Sequence, residues 1–129
     1  MKQIFNSPNA PAPIGPYNQS VAINGLLFIS GQIALDPASG ALVLDSIEAE
    51  THQVLKNLKA ILEVGGSSLE QVVKVSVFVK DMNMFGRINA VYGEYFKPEF
   101  APARELVQVS ELPKFVNIEI SVIAATNKA

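Results

Sequence analysis

No cysteine occurs among the 129 residues. That excludes a disulfide framework, thiolate catalysis and any thiolate-held metal. Histidine is almost missing too, since His52 is the only one. It lies off the main apolar stripe of a predicted helix with no second ligand beside it. It therefore reads as a solvated helix residue rather than a catalytic or metal-binding one. Charge is sparse as well: 17% of residues are charged, against about 25% in an ordinary soluble domain. There is no basic cluster, and the net charge is -2, so the electrostatic footprint of a nucleic-acid binder is absent. No apolar run approaches the roughly 20 residues that cross a bilayer. Residues Met1 to Ala12 are polar and proline-rich, without the apolar centre of a signal peptide. The expectation is a soluble cytoplasmic protein with no nucleic-acid or membrane partner.

What is present is apolar. Hydrophobic residues make up 49%, and the length suits one domain spanning residues 1–129. A chain of this size has much surface, so the apolar excess needs cover. A subunit interface supplies it more economically than an apolar-rich monomer does.

The chain begins with a short edge strand near Lys2 to Phe5. Pro8, Pro11, Pro13 and Pro16 then hold an extended segment that cannot become regular. Tyr17, directly after it, is either a core anchor or a presented hydroxyl. Ser20 to Ile23 and Leu26 to Ile29 flank Asn24-Gly25, the pair that a type I′ hairpin turn demands. The second strand runs into Ser30-Gly31-Gln32, where glycine marks either a bulge or a close backbone approach. Asp36 to Gly40 reads as a loop. Asp45 reads as a helix cap with Glu48 at the third helical position. Ile47, Thr51, Val54, Leu55, Leu58, Ile61 and Leu62 then recur at helical spacing. Gly65 and Gly66 end that helix, one of them in the left-handed conformation. Residues 73–80 alternate as a strand. A second helix carries Phe85, Ile88, Val91, Tyr92, Tyr95 and Phe96, with Asn89 at the edge of its buried side, and Pro98 ends it. Such an order of strands and segregated helices predicts an α+β fold.

Chemistry concentrates between Pro102 and Glu119. Arg104 opens one strand. In the next, Val116, Ile118, Ile120, Val122 and Ala124 alternate with Asn117, Glu119 and Ser121, so Glu119 points away from the apolar face. The short link Glu111-Leu112-Pro113 predicts that these two strands are antiparallel neighbours. A guanidinium can grip a carboxylate by two hydrogen bonds, and a carboxylate in the same pocket can take a proton from water. The plainer alternative is a structural ion pair and a solvated glutamate.

Several motifs resemble the RidA/YjgF/YER057c/UK114 family of reactive imine deaminases over nearly the whole chain. They are Ile14-Gly15-Pro16-Tyr17, Ser30-Gly31-Gln32-Ile33, Leu35-Asp36-Pro37 with Gly40, Asn57-Leu58-Lys59-Ala60, Phe78-Val79-Lys80-Asp81-Met82, Asn89 with Val91-Tyr92, Pro102-Ala103-Arg104, Leu112-Pro113-Lys114 and Glu119. Each is weak alone; their order and spacing are specific. The resemblance implies a chorismate-mutase-like fold, with two helices on one face of a mixed sheet. It further implies a barrel-like homotrimer with sites in the clefts between subunits. The implied substrates are 2-imino or enamine acids released by pyridoxal-phosphate enzymes, namely 2-iminobutanoate and 2-iminopropanoate. The implied products are a 2-keto acid and ammonium. Arg104 would hold the substrate carboxylate and Glu119 would deprotonate the attacking water. Backbone groups near Gly31 and Leu106 would orient the imine nitrogen. Tyr17, Ser30 and Asn89 would complete the pocket, with no metal or bound cofactor.

The chain departs from the family pattern after the arginine, where Glu105 and Leu106 replace a small hydroxyl residue and a frequent cysteine. On a strand, Leu106 shares a face with Arg104 and Glu105 faces away. Leu106 would narrow the pocket. The segment between Phe96 and Pro102 is also short. A non-enzymatic trimer that binds keto acids in the same cleft, or a holdase-like surface protein, is the alternative reading.

Overall fold

The computed structural model describes residues 1–126. Six strands form one sheet in the order β1-β2-β3-β6-β4-β5. They are β1 (Gln3–Phe5), β2 (Ser20–Ile23), β3 (Leu26–Gln32), β4 (Val72–Val79), β5 (Ala103–Gln108) and β6 (Ile118–Ala125). Every pairing is antiparallel except β4 with β5. Helices α1 (Ile47–Val64) and α2 (Phe85–Tyr95) pack together on the sheet. The fold is α+β, two helices on a mixed sheet.

Local chemistry explains most elements. Asn24 and Gly25 adopt φ of 51° and 78°, so the β2–β3 turn is built from the two left-handed positions that its sequence supplies. The cap of α1 is Ser46, whose Oγ accepts from Ala49 N at 3.0 Å, and not Asp45. The serine backbone is already extended there, and its shorter side chain reaches the free amide. Gly65 closes α1, and Gly66 takes φ of 77°. In β4 the register slips between Val72 and Lys74. Val72 therefore joins Val75, Val77 and Val79 in the core, while Val73 stays exposed.

The strand order corrects the expected neighbour pairing of the Arg104 and Glu119 strands. β5 and β6 do not touch as partners, because β4 lies between them. Parallel strands need a long crossover, and α2 provides it, returning β5 alongside β4 at the sheet edge. β6 then enters between β3 and β4 and pairs with both. Side chains of Leu55, Leu58, Ile61 and Leu62 from α1 meet Ile118 and Ile120 of β6 in the main core. Glu50 is fully buried there and accepts from Asn117 N, Asn117 Nδ2 and Ile118 N at 2.8, 2.8 and 3.2 Å. That carboxylate pins the start of β6, one residue before Glu119.

Candidate functional site

Two separate groups of residues carry the chemistry, one on each face of the sheet. The first surrounds Arg104 on the helix side. Arg104 pairs in register with Val75 of β4 and Leu106 with Val77, and both valines are core residues. Arg104 and Leu106 are therefore half-buried beneath α2. Nη1 of Arg104 donates to Asn89 Oδ1 at 2.7 Å. Its guanidinium carbon lies 4.7 Å from the Tyr92 ring centre and 5.8 Å from that of Phe85. Among the described residues, Arg104 has no carboxylate partner. Of its five N–H donors, the hydrogen bond to Asn89 uses one.

Glu105 points to the other face, as its position in the strand requires. Its carboxylate accepts from Ser76 Oγ and pairs with Lys74 Nζ at 2.9 Å. The hydroxyl of Ser76 and then the Lys74 ammonium lower its pKa. It leaves Arg104 unquenched.

The second group lies on the helix-free face. Glu119 pairs with Phe78 of β4, one register step out of phase with the core valines. It lines a cleft of about 60 Å³ with Tyr17, Gln19, Gly31, Gln32 and Pro113. Burial pushes the Glu119 carboxyl above its ordinary 4.5, since a desolvated carboxylate favours its neutral form. Gly31 sits at a register break in β3 and directly over this side chain. A Cβ there would lie 2.8 Å from Glu119 Cδ. Bulge and close approach thus coincide at one glycine.

The proline-rich segment forms the outer wall. Tyr17 is 46% exposed, so it presents its ring to the cleft and is not a core anchor. Its hydroxyl accepts from Ile14 N at 3.5 Å. Ser30 does not line the cleft, and its hydroxyl donates to Asn18 O at 2.7 Å. That bond ties β3 to the segment leading into β2. Gln19 escaped the sequence reading. It is buried, and Nε2 donates to the carbonyls of Ser7, Ala10 and Pro11 at 3.1, 3.3 and 2.8 Å. A polyproline-like run has carbonyls without internal donors, and Gln19 supplies them. Asn57 does the same from α1, donating to the carbonyls of Ile33 and Leu35.

His52 is half-buried rather than fully solvated. It lies on the helical layer, with Nδ1 2.9 Å from Tyr95 Oη. Among the described residues, no group of three or more His, Asp or Glu side chains is placed to hold a metal. None of the described helices is long and apolar enough to cross a membrane.

Comparison with known proteins decides the family. Residues 7–126 match the family described as endoribonuclease L-PSP. The chain belongs to the RidA/YjgF family. A RutC family protein of Pyrococcus horikoshii is 53% identical over 124 residues, covering 96% of this chain and 98% of that protein. A human protein named 2-iminobutanoate/2-iminopropanoate deaminase is 42% identical, over 96% of this chain and 90% of its own length. A solved structure of Escherichia coli TdcF with bound serine superposes with a TM-score of 0.91. It is 38% identical, with 97% of this chain and 99% of that one covered.

Proposed function

We propose that this RidA-family chain hydrolyses reactive 2-imino acids to 2-keto acids and ammonium, in the cytoplasm, as a homotrimer with its sites between subunits. The observation that carries the reading is Arg104, a half-buried guanidinium without a carboxylate partner, held at one corner by the neutral amide of Asn89. A buried cation of this kind needs an anion, and a planar fork suits a carboxylate. The relative named for 2-iminobutanoate and 2-iminopropanoate acts on such acids, and the TdcF structure holds an amino acid.

The two half-sites explain why a second subunit is part of the reading. Glu119 and Arg104 face opposite sides of the sheet, so one chain cannot close both around a small molecule. The helix-free face is also apolar and uncovered. Ile4, Ile23, Phe28 and Val107 are each at least 40% exposed, more apolar surface than a monomer normally leaves in water. Packing that face against the edge of a neighbour brings the Glu119 cleft of one subunit to the Arg104 corner of the next.

In the closed site Arg104 binds the substrate carboxylate through its free N–H edge and fixes the adjacent C=N carbon. Glu119, unpaired and desolvated, accepts a proton from water as the oxygen attacks that carbon. The resulting carbinolamine carries the amine and hydroxyl on one carbon. Its C–N bond breaks as the nitrogen takes up a proton and the hydroxyl gives up its own to Glu119, which has passed its first proton to the imine nitrogen. The ketone and ammonia remain, and ammonia takes a proton from water to become ammonium. Imines hydrolyse readily, so positioning and one base suffice. A net charge of -2 gives no reason to include a nucleic-acid partner.

The test couples the protein to a threonine dehydratase and follows keto acid release while semicarbazide competes for the imine. Faster keto acid release with the protein present is expected. Semicarbazone yields identical with and without it would leave the non-enzymatic readings, a keto-acid-binding trimer or a holdase-like surface protein. Native mass spectrometry should show three subunits, and an active monomer would contradict the shared site.

A further inference from the structure

Helix α2 presents three side chains to Arg104, at the spacing that places them on one helix face. Phe85, Asn89 and Tyr92 meet the guanidinium by ring, amide and ring respectively. Of the two rings, Tyr92 is nearer at 4.7 Å and only 8% exposed. Phe85 is 43% exposed and contributes at the rim.

Tyr92 has a second peculiarity. Among the described residues its buried hydroxyl makes no hydrogen bond of normal geometry. Burial raises its pKa, and Arg104 opposes that rise, first by its positive charge and then by an N–H lying close to the hydroxyl. A buried hydroxyl without a well-formed hydrogen bond adds nothing to a fold, so what this position uses is the ring. Its ring packs against Phe96 at 4.7 Å, a contact that phenylalanine would make as well. What the ring face gives beyond apolar volume is attraction for the planar cation above it.

Resting on the reading of Arg104 as a carboxylate clamp, we propose that Tyr92 is a positioning residue that fixes the guanidinium plane for a 2-oxo or 2-imino carboxylate. Asn89 fixes one corner of the fork and the Tyr92 ring fixes its tilt. Together they leave the opposite N–H edge oriented before the ligand arrives. Pre-orientation lowers the ordering cost of a two-bond grip. Leucine at 92 would fill part of the volume but leave the guanidinium free to swing.

The experiment measures 2-oxobutanoate binding by calorimetry for the wild type, Tyr92→Leu, Tyr92→Phe and Arg104→Ala. Tyr92→Leu should weaken binding about tenfold. Tyr92→Phe keeps the ring face and should restore affinity to within about twofold, with a melting temperature no lower than wild type. A spectroscopic readout serves should Tyr92→Leu fold poorly. Arg87 and Arg104 are the only arginines, so a spectrum of arginine-labelled protein has two guanidinium groups to assign. In wild type and Tyr92→Phe, the Arg104 guanidinium protons should be shifted upfield by the ring beneath them. Unshifted Arg104 protons in both would overturn the proposal. So would wild-type affinity in Tyr92→Leu while Arg104→Ala no longer binds. If Arg104→Ala binds as well as wild type, the clamp reading itself fails and takes the proposal with it.

Discussion

Arg104 and Glu119 face opposite sides of the same sheet. Arg104 sits in the β4 row of Val75 and Glu119 in the row of Phe78, three residues further along. An odd step along a strand reverses the face. The reversal gives the two residues different surroundings, an aromatic cage for the cation and a desolvated cleft for the carboxylate.

Their variants should therefore fail in different ways. Arg104→Ala removes the carboxylate grip and should lose both keto acid binding and deamination. Arg104→Lys should recover little, because an ammonium has no planar edge. Glu119→Gln should still bind 2-oxobutanoate and yet turn over roughly 100-fold more slowly or worse, the usual scale for a general base. Calorimetry and the semicarbazide assay read the two quantities. Wild-type turnover in Glu119→Gln would make Glu119 structural.

Gly31→Ala tests the close approach. The added Cβ would stand 2.8 Å from Glu119 Cδ and 2.9 Å from Oε2. Those atoms end a flexible side chain, so the carboxylate swings away and the fold survives. Misplacing a catalytic group by about 1 Å can cost about 100-fold in rate. The variant should keep a near-normal melting temperature and lose turnover by about 10- to 100-fold. Full activity would show that Glu119 does not need its present position.

The raised pKa of Glu119 also affects stability. Its folded pKa lies above the ordinary 4.5 because burial disfavours the charge. Between those two values the folded chain holds a proton that the unfolded chain has released. Stability from this group therefore falls as pH rises through that window and stays lower above it. Glu119→Gln should be more stable than wild type near neutrality, with the difference vanishing below the unfolded pKa. Urea unfolding at about pH 4 and about pH 7 compares the two. An equal difference at both would point to packing instead of charge.

The sequence showed the parts of this arrangement that local chemistry decides. Asn24-Gly25 can build one kind of turn, the α1 stripe has one apolar face, and Gly31 had to be a bulge or a close contact. Alternation along the strand is enough to set Glu105 apart from Leu106. The strand order was not visible, because the insertion of β6 beside β4 depends on contacts between distant segments. Reading Glu111-Leu112-Pro113 as a hairpin link made the Arg104 and Glu119 strands direct neighbours, which the sheet order does not bear out. Gln19 and Glu50 were missed for a related reason. Each is a polar side chain whose partners lie on another element, and no spacing rule marks such a residue. A carbonyl-rich proline run could have signalled the need for a donor like Gln19.

Leu106 offers the sharpest view of substrate choice. It lies two residues from Arg104 on the same face and packs partly against the core. A ligand whose carboxylate sits on Arg104 would extend its side chain toward this position. Leu106→Ala opens space there, and an apolar pocket discriminates by about 1–3 kcal/mol per methylene-sized change. The variant should favour imino acids with longer side chains over 2-iminopropanoate. Its melting temperature should fall only moderately, since Leu106 is half-buried. Generating the imines from a series of amino acids and comparing rates under semicarbazide competition measures the shift. Unchanged relative rates would place Leu106 outside the pocket and leave the narrow end of the site to other residues.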